Sequence, residues 1–243
     1  MEVTQTDAGQ QCLRRSQQML TLMDDVQEET ASRDGALHGQ LRLTCSLSLT
    51  TAQLAAALSD FLDLSPRLKV DLNVSEGALN LVEARVDLAI RISDAPDAVL
   101  VARPLAPCAS VLVASPAYLA RCGLPSAPAE LAQHRCLAHA NFGRTVWTFS
   151  QGEEVVPVRV ATHFSANDAC ALMQAALAGG GLAMLPRYLV QPGLAAGTLQ
   201  AVLPQWQVPA LTIYALYPSR RHLSPAVRAL LDFLVLRFAA LAW

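Results

Sequence analysis

The chain has 243 residues, of which 53% are hydrophobic and 16% are charged, and its formal net charge is −2. This composition excludes a disordered chain and is typical of a globular protein with one sizeable core or two cores of roughly 100 residues each. The near-neutral charge offers no general attraction for DNA, the apolar runs are shorter than the roughly 20 residues of a membrane span, and the first residues do not resemble a secretory signal.

The first predicted element is a helix over residues 8–32, ahead of the globular body. Its apolar residues recur at intervals of three to seven positions and form a narrow stripe of Leu13, Leu20, Met23 and Val26. A narrow stripe suits pairing with a partner helix, so we predict a linker and dimerisation element over residues 1–38 and a homodimer or higher oligomer. The alternative is a helix that folds onto its own domain.

Strands and helices then alternate, which predicts an α/β fold with a mainly parallel sheet. In the first half, the pattern predicts strands at residues 41–46, 68–74 and 86–92 and helices at residues 51–64 and 78–85.

The second half continues this alternation. We predict a strand at residues 110–115, a helix that begins at Pro116, and short strands between residues 135 and 165. A helix at residues 167–179 follows, with Asn167 as its N-cap.

Three consecutive glycines, Gly179 to Gly181, raise the question of a phosphate-binding loop. Phosphate loops run from a strand into a helix, so that the helix N-terminus faces the anion. Here the glycines follow a predicted helix and precede the strand-like "LAMLP" at residues 182–186. We therefore interpret them as a helix stop.

Other enzymatic signals are missing from the sequence. It contains no GxxxxGK[ST], no GxGxxG after a strand and no GxSxG nucleophile motif. The six cysteines form no CxxC pair and the five histidines have no metal-ligand spacing. We expect a cytoplasmic protein with reduced thiols, without catalytic residues, a metal or a cofactor, and not an enzyme.

Polar residues at predicted strand ends and helix starts are the remaining functional signal. In an open α/β sheet, ligands bind beyond the carboxyl ends of the strands. The candidate ligand-binding residues are Ser46, Ser48, Thr50, Ser75, Arg91 and Asn167. For each of them, ordinary capping or turn formation is the alternative.

Arg91 also bears on the chemistry of the ligand. Its guanidinium can pair a carboxylate through two parallel hydrogen bonds, which favours an organic or aromatic acid as the ligand. The alternative is that Arg91 pairs with an acidic residue of its own subdomain.

An ordered set of segments along the whole chain resembles the LysR-type transcriptional regulators. "TDAG" at residues 6–9, ahead of a long predicted helix, resembles the stretch that joins their winged helix-turn-helix to the linker helix. "VEARVDLAIRIS" resembles a strand of their effector domain, and "NDACALMQAALAGGGLAMLPRYLV" and "IYALYPSRRHLSPAVRALLDFL" continue the pattern.

The resemblance implies two Rossmann-like subdomains of periplasmic-binding-protein type II architecture, joined by two crossover strands. The first would comprise residues 39–112 and 213–243, and the second residues 113–212. A small effector would bind in the cleft between them. Because the family carries a winged helix ahead of "TDAG", whereas this sequence starts at Met1, DNA contact is expected only through that missing element or through an intact partner.

These observations predict an effector-sensing regulatory domain that binds a small, organic-acid-like metabolite, controls transcription and does not contact membranes. A periplasmic-type solute-binding protein is the main alternative. It is disfavoured by the absence of a signal peptide and by the predicted pairing helix. A hydrolase on an α/β scaffold is disfavoured by the absence of the nucleophile motif.

Overall fold

The computed structural model describes residues 6, 8–9, 11–12, 15–16, 19, 37–77, 80–142, 145–218 and 223–241. The predicted stripe of Leu13, Leu20, Met23 and Val26 lies outside these described residues. The pairing helix therefore stays a prediction from sequence. No helix within the described ranges is long and apolar enough to cross a membrane.

The first of two five-stranded sheets has the order β2-β1-β3-β12-β4. Its strands are β1 (His38–Cys45), β2 (Arg67–Val74), β3 (Leu88–Ser93), β4 (Val101–Cys108) and β12 (Leu211–Tyr217). β1 pairs in parallel with β2 and β3, whereas β12 is antiparallel to β3 and β4. Only β12 therefore runs against the other strands of this sheet.

The second sheet has the order β11-β5-β10-β6-β9. Its strands are β5 (Ser110–Ala114), β6 (Cys136–His139), β9 (Thr162–Ala166), β10 (Leu182–Pro186) and β11 (Gln200–Ala201). β10–β6 and β6–β9 are parallel, and β5 is antiparallel to β10 and β11. A mainly parallel α/β fold is thus confirmed, with one reversed strand in each sheet. A separate antiparallel ribbon joins β7 (Val146–Gln151) and β8 (Glu154–Arg159).

The chain passes twice between the sheets, as the resemblance implied. β4 continues into β5 through Ala109, and residues 202–210 lead from β11 back to β12. Because all of β5 pairs in the second sheet and all of β12 in the first, the expected boundaries at residues 112 and 212 would cut both strands. The sheet pairing moves the two boundaries to Ala109 and to residues 202–210.

The first helical run begins earlier than the sequence predicted. It comprises α1 (Leu47–Leu49), a π-helical segment (Thr50–Leu54) and α2 (Ala55–Leu64). Ser46 Oγ accepts a hydrogen bond from Leu49 N at 3.3 Å and thereby caps α1. The remaining helices are α3 (Pro116–Cys122), a 3₁₀ turn (Pro128–Gln133), α4 (Ala169–Leu177), α5 (Arg187–Ala195) and α6 (Pro225–Ala239).

The predicted helix at residues 78–85 is wrong, because the structure has only a turn over residues 81–85. Asn80 Oδ1 accepts from Val82 N at 3.2 Å and caps a single turn, in which Ala84 N donates to the Asn80 carbonyl at 2.9 Å. Arg85 then adopts a left-handed conformation with φ of +52°, which ends the turn and directs the chain towards β3.

The largest hydrophobic core belongs to both sheets. It joins Leu41 and Leu43 of β1 to Val111 and Val113 of β5. The alternate residue Leu112 belongs to a second core on the other face of its sheet, as the two-residue period of a strand requires. The shared core holds the two sheets against each other at the place where α1 and α4 meet.

Candidate functional site

The candidate site lies between the sheets, where the carboxyl ends of β1, β2 and β3 face the N-terminus of α4. Backbone bonding brings the strand ends together, since Ser75 N donates to the Cys45 carbonyl at 2.9 Å. The helix α1 follows β1 directly and contacts α4. This is the edge at which open α/β sheets bind ligands.

Ser46 and Ser48 sit at the start of this helical run, and both are buried. Ser46 caps α1, so the ordinary local role expected for it is present. Ser48 Oγ lies 3.1 Å from Tyr188 Oη, which belongs to α5 on the second sheet. This hydrogen bond links the two halves of the chain.

Thr50 and Ser75 differ in how well their hydroxyl groups are satisfied. Ser75 Oγ accepts from Gly77 N at 3.2 Å, which is a turn contact. Thr50 is only 8% exposed, yet Thr50 Oγ1 has no hydrogen-bond partner in the described part of the chain. A buried hydroxyl without a partner costs free energy, so a group that binds there would be stabilised.

Arg91 is engaged by its own half of the molecule. Its Nη2 donates to Thr44 Oγ1 at 2.9 Å, and its Nη1 donates to the Ile90 carbonyl at 3.0 Å. Burial lowers the pKa of Arg91, and the nearby Cys45 and Glu76 oppose this shift. Glu76 is therefore the acidic neighbour that the alternative interpretation of Arg91 expected. The organic-acid effector that Arg91 suggested stays a prediction.

Two carboxyl groups from different sheets meet at this site, and sequence reasoning missed both. Glu76, which follows β2, accepts from Leu47 N at 3.1 Å through Oε1. Asp168 Oδ1 accepts from Ala171 N at 2.8 Å and caps α4. Burial raises the pKa of Glu76, the Leu47 N–H bond lowers it, and Asp168 raises it further.

The predicted N-cap at Asn167 is thus wrong by one residue. Both Asn and Asp are good N-caps, so the adjacent pair left the sequence without a basis for choosing between them. Asn167 is exposed, and its backbone interacts with His139. It still lies directly ahead of α4, which contacts the helix that carries Ser48.

His139 and Cys170 complete the ionisable neighbours of Asp168. Burial lowers the pKa of His139, while Asp168 and the Asn167 backbone raise it. Burial raises the pKa of the Cys170 thiol, and Asp168 adds to that effect. Within the described ranges no three side chains of His, Cys, Asp or Glu have a metal-binding arrangement.

Sequence signals for the missed residues were weak. Glu76 follows the predicted residue Ser75, and Asp168 follows Asn167, so position along the chain pointed to their neighbours. Tyr188 follows the strand β10 and is 8% exposed, which makes it look like a core residue until its hydroxyl partner Ser48 is known.

Comparison with known proteins identifies relatives for most of the chain. Residues 34–239 match the family model described as LysR substrate binding domain. The chain is 32% identical over 237 residues to an HTH-type transcriptional regulator of Xanthomonas campestris, covering 96% of this chain and 69% of the relative. It is 32% identical over 235 residues to the HTH-type transcriptional regulator PtxR of Pseudomonas aeruginosa, covering 96% and 75%.

Solved structures agree with this result. The regulatory domain of CrgA, a LysR-type transcriptional regulator from Neisseria meningitidis, is 30% identical with a TM-score of 0.72, covering 83% of this chain and 99% of that chain. The full-length virulence activator AphB of Vibrio cholerae is 26% identical with a TM-score of 0.72, covering 96% and 80%.

Proposed function

Because the chain belongs to the LysR substrate-binding domain family, we propose that its small-molecule effector binds between the two sheets and that occupancy of this site controls transcription. The observation that carries the proposal is the buried, unsatisfied polar surface where α1 and α4 meet. Thr50 Oγ1 and Asp168 Oδ2 are buried there without hydrogen-bond partners among the described residues. A ligand with complementary groups would recover that cost.

The proposed effector-binding set keeps the residues that the sequence suggested and adds those that the structure places beside them. These residues are Ser46, Ser48, Thr50, Ser75, Arg91 and Asn167, with Glu76, Asp168 and Tyr188 as additions. They come from both sheets, so a ligand that contacts both would favour one relative arrangement of the halves. An effector shifts such an equilibrium only through its different affinities for the two arrangements.

In this proposal, elements outside the two sheets transmit the effect of ligand binding to DNA. The helix predicted at residues 8–32 would pair two copies into a homodimer or higher oligomer, and a winged helix, linked to this domain or supplied by an intact partner, would contact the DNA in the cytoplasm. The relatives named above are transcriptional regulators, so the proposal assigns no catalytic step. The identity of these relatives also disfavours the alternative of a periplasmic-type solute-binding protein.

A thermal-shift screen of metabolites tests the proposal. A ligand at about 100 times its dissociation constant adds about 2.7 kcal/mol to the free energy of unfolding. We expect at least one metabolite to raise Tm and the variant Thr50→Val to reduce that shift. Thr148→Val, on the β7–β8 ribbon, is the matched control. A screen in which no metabolite stabilises the wild-type chain would contradict the proposal.

A further inference from the structure

Glu76 and Asp168 lie at the boundary between the sheets. In each, one carboxyl oxygen accepts a hydrogen bond from a backbone N–H group at the start of a helix. Glu76 Oε1 is bonded to Leu47 N at 3.1 Å, and Asp168 Oδ1 is bonded to Ala171 N at 2.8 Å. Asp168 Oδ2 is buried and has no partner in the described part of the chain. An ionised carboxylate has about four acceptor positions, so acceptor capacity is left over between the two halves.

The charges at this point do not balance. The Glu76 and Asp168 side chains are within hydrogen-bond contact, and burial together with this neighbouring carboxyl group raises the pKa of Glu76, while Arg91 faces Glu76 with one positive charge. His139, the other basic group beside Asp168, is shifted towards its neutral form by burial. The Cys170 thiol beside both carboxyl groups is shifted towards its protonated form. When both carboxyl groups are ionised, one negative charge is in excess in a partly buried site, and either a shared proton or a bound cation relieves the repulsion between them.

Arg91 is partly engaged by its own sheet. Its guanidinium already donates to Thr44 Oγ1 and to the Ile90 carbonyl, and its charge faces the Glu76 carboxyl. These contacts belong to the first sheet. They commit part of the guanidinium to the first sheet and hold Arg91 beside Glu76.

Thr50 gives an independent indication of a ligand at the same edge. It is only 8% exposed, and its hydroxyl group has no hydrogen-bond partner among the described residues. Its side chain contacts the Cys45 thiol, a weak hydrogen-bonding group that in turn lies near Arg91. The unpartnered hydroxyl therefore lies at the Arg91 and Glu76 side of the cleft, where it can accept a hydrogen bond from a ligand.

The missing group is a donor with a positive charge. A primary ammonium has three N–H donors and no acceptor, which matches the excess acceptors and the excess charge. A metal ion is a poorer match, since the described residues offer no group of three metal-binding side chains.

We propose that the effector of this chain carries a protonated amine, which binds between the carboxyl groups of Glu76 and Asp168 and joins the two sheets. This inference rests on the proposed function, because it names the chemistry of the ligand for the same cleft. The amine contacts one carboxyl group from each half, so it stabilises the arrangement in which the halves are held together.

Three probes with one carbon skeleton test the inference by thermal shift at neutral pH, at equal concentration and ionic strength. They are 1,4-diaminobutane, 1,4-butanediol and succinate. We expect the diamine to raise Tm of the wild-type chain and the diol and the diacid to leave Tm unchanged.

The variants Asp168→Asn and Glu76→Gln remove charge and keep an oxygen acceptor for the helical N–H groups, so the fold is retained; Asn is as good an N-cap as Asp. We expect each to weaken diamine binding about tenfold or more, which is about 1.4 kcal/mol or more. The matched controls are Asp71→Asn and Glu83→Gln, which change exposed carboxylates elsewhere and are expected to bind the diamine like the wild-type chain.

Each contrary outcome has a distinct meaning. A Tm increase with succinate and none with the diamine overturns the amine inference and leaves the proposed function standing. A diamine shift that survives in both Asp168→Asn and Glu76→Gln also overturns it. If no probe shifts Tm, the amine inference fails, and the metabolite screen decides the proposed function separately.

Discussion

At the scale of single residues, the candidate site combines polar groups that make a local hydrogen bond with polar groups that make none among the described residues. Asp168 caps α4 through Oδ1 and leaves Oδ2 without a partner in the described ranges. The Ser46 hydroxyl caps α1, whereas the Thr50 hydroxyl in the following turn has no hydrogen-bond partner among the described residues. Asp168 Oδ2 and Thr50 Oγ1, and not the capping oxygens, are therefore the groups that a ligand can bond.

Glu76 gives a prediction for the pH dependence of stability. Burial and the nearby Asp168 raise its pKa in the folded state from the ordinary value of 4.5. The folded state then binds this proton more tightly, so its contribution to stability is fully present below the unfolded pKa and is lost as pH rises through the folded pKa. We expect urea unfolding over a pH series to show this loss in the wild-type chain and in the control Glu83→Gln. Glu76→Gln should show less of it, and an identical pH profile would contradict the prediction.

Gly181 gives a prediction for packing at the end of α4. A Cβ atom there would overlap the Arg135 carbonyl oxygen, so the backbone would have to move. We expect Gly181→Ala to lower the free energy of unfolding by about 2 kcal/mol or more, measured by urea denaturation. Gly197→Ala is the control. Gly197 also has a positive φ but meets nothing within 4 Å, so only the conformational cost of about 1 kcal/mol applies. Equal losses in both variants would show that crowding at Gly181 is unimportant.

At the scale of elements, the two halves of the site depend on contacts between helices of different sheets. α1 contacts α4, and Ser48 of α1 bonds to Tyr188 of α5. These helices start at strand ends, so their first turns are held by the sheets on which they sit. The site is therefore sensitive to how the sheets are arranged as well as to its own side chains.

A double-mutant cycle measures the link between α1 and α5. We expect Ser48→Ala and Tyr188→Phe to show a coupling of about 1 kcal/mol in the free energy of unfolding, because they share a buried hydrogen bond. The control pairs Ser48→Ala with Tyr118→Phe. Tyr118 bonds to His134 and Arg135 instead, so its effect should be additive. Additive behaviour in the Ser48–Tyr188 cycle would show that the bond does not join the halves.

The helix predicted at residues 8–32 gives a prediction for assembly. Its apolar stripe would be exposed to water without a partner, so replacement of both Leu20 and Met23 by Glu should weaken the dimer. Light-scattering mass measures this, with Gln11→Glu and Gln18→Glu together as a control that adds the same charge on the opposite face of the predicted helix. An unchanged mass after the stripe substitutions would count against the helix as the pairing element. A residual dimer through the α/β body is compatible with the prediction.

At the scale of the whole molecule, charge decides what the chain can attract. Its 18 basic residues are outnumbered by 20 acidic residues, and the basic residues form no run. Specific DNA binding needs several cationic contacts to phosphate as well as an element that enters a groove. The two sheets share one core, and the overall charge of −2 gives the chain no net attraction for a polyanion.

This balance predicts that the 243-residue polypeptide alone has no sequence-specific DNA affinity at physiological salt. The second half of the predicted first helix adds to the repulsion, since it contains Asp24, Asp25, Glu28 and Glu29. An electrophoretic mobility shift with excess unrelated competitor DNA measures it, and tight, competitor-resistant binding would contradict it. A mixed dimer of this chain with an intact regulator serves as the positive control.

Sequence alone determined the features that depend on neighbouring residues. Pro116 starts α3, as predicted, and the glycines after α4 stop that helix, with Gly179 at φ of +77°. Alternating apolar runs placed most strands, and the family resemblance supplied the two-sheet fold. These signals act through hydrogen bonds and side-chain periods that span only a few residues, so they can be read without knowing where the chain returns.

Only the tertiary structure decided which polar groups meet. Glu76 and Asp168 lie far apart in the sequence and on different sheets. In each case the sequence pattern indicated the preceding residue, Ser75 or Asn167, as the polar residue at the strand end or helix start. The change of sheet at Ala109, the reversed strands β5 and β12, and the bond from Ser48 to Tyr188 likewise depend on long-range pairing. The physical reason is that burial and charge at the cleft arise from contacts between segments that the chain brings together only after both sheets have formed.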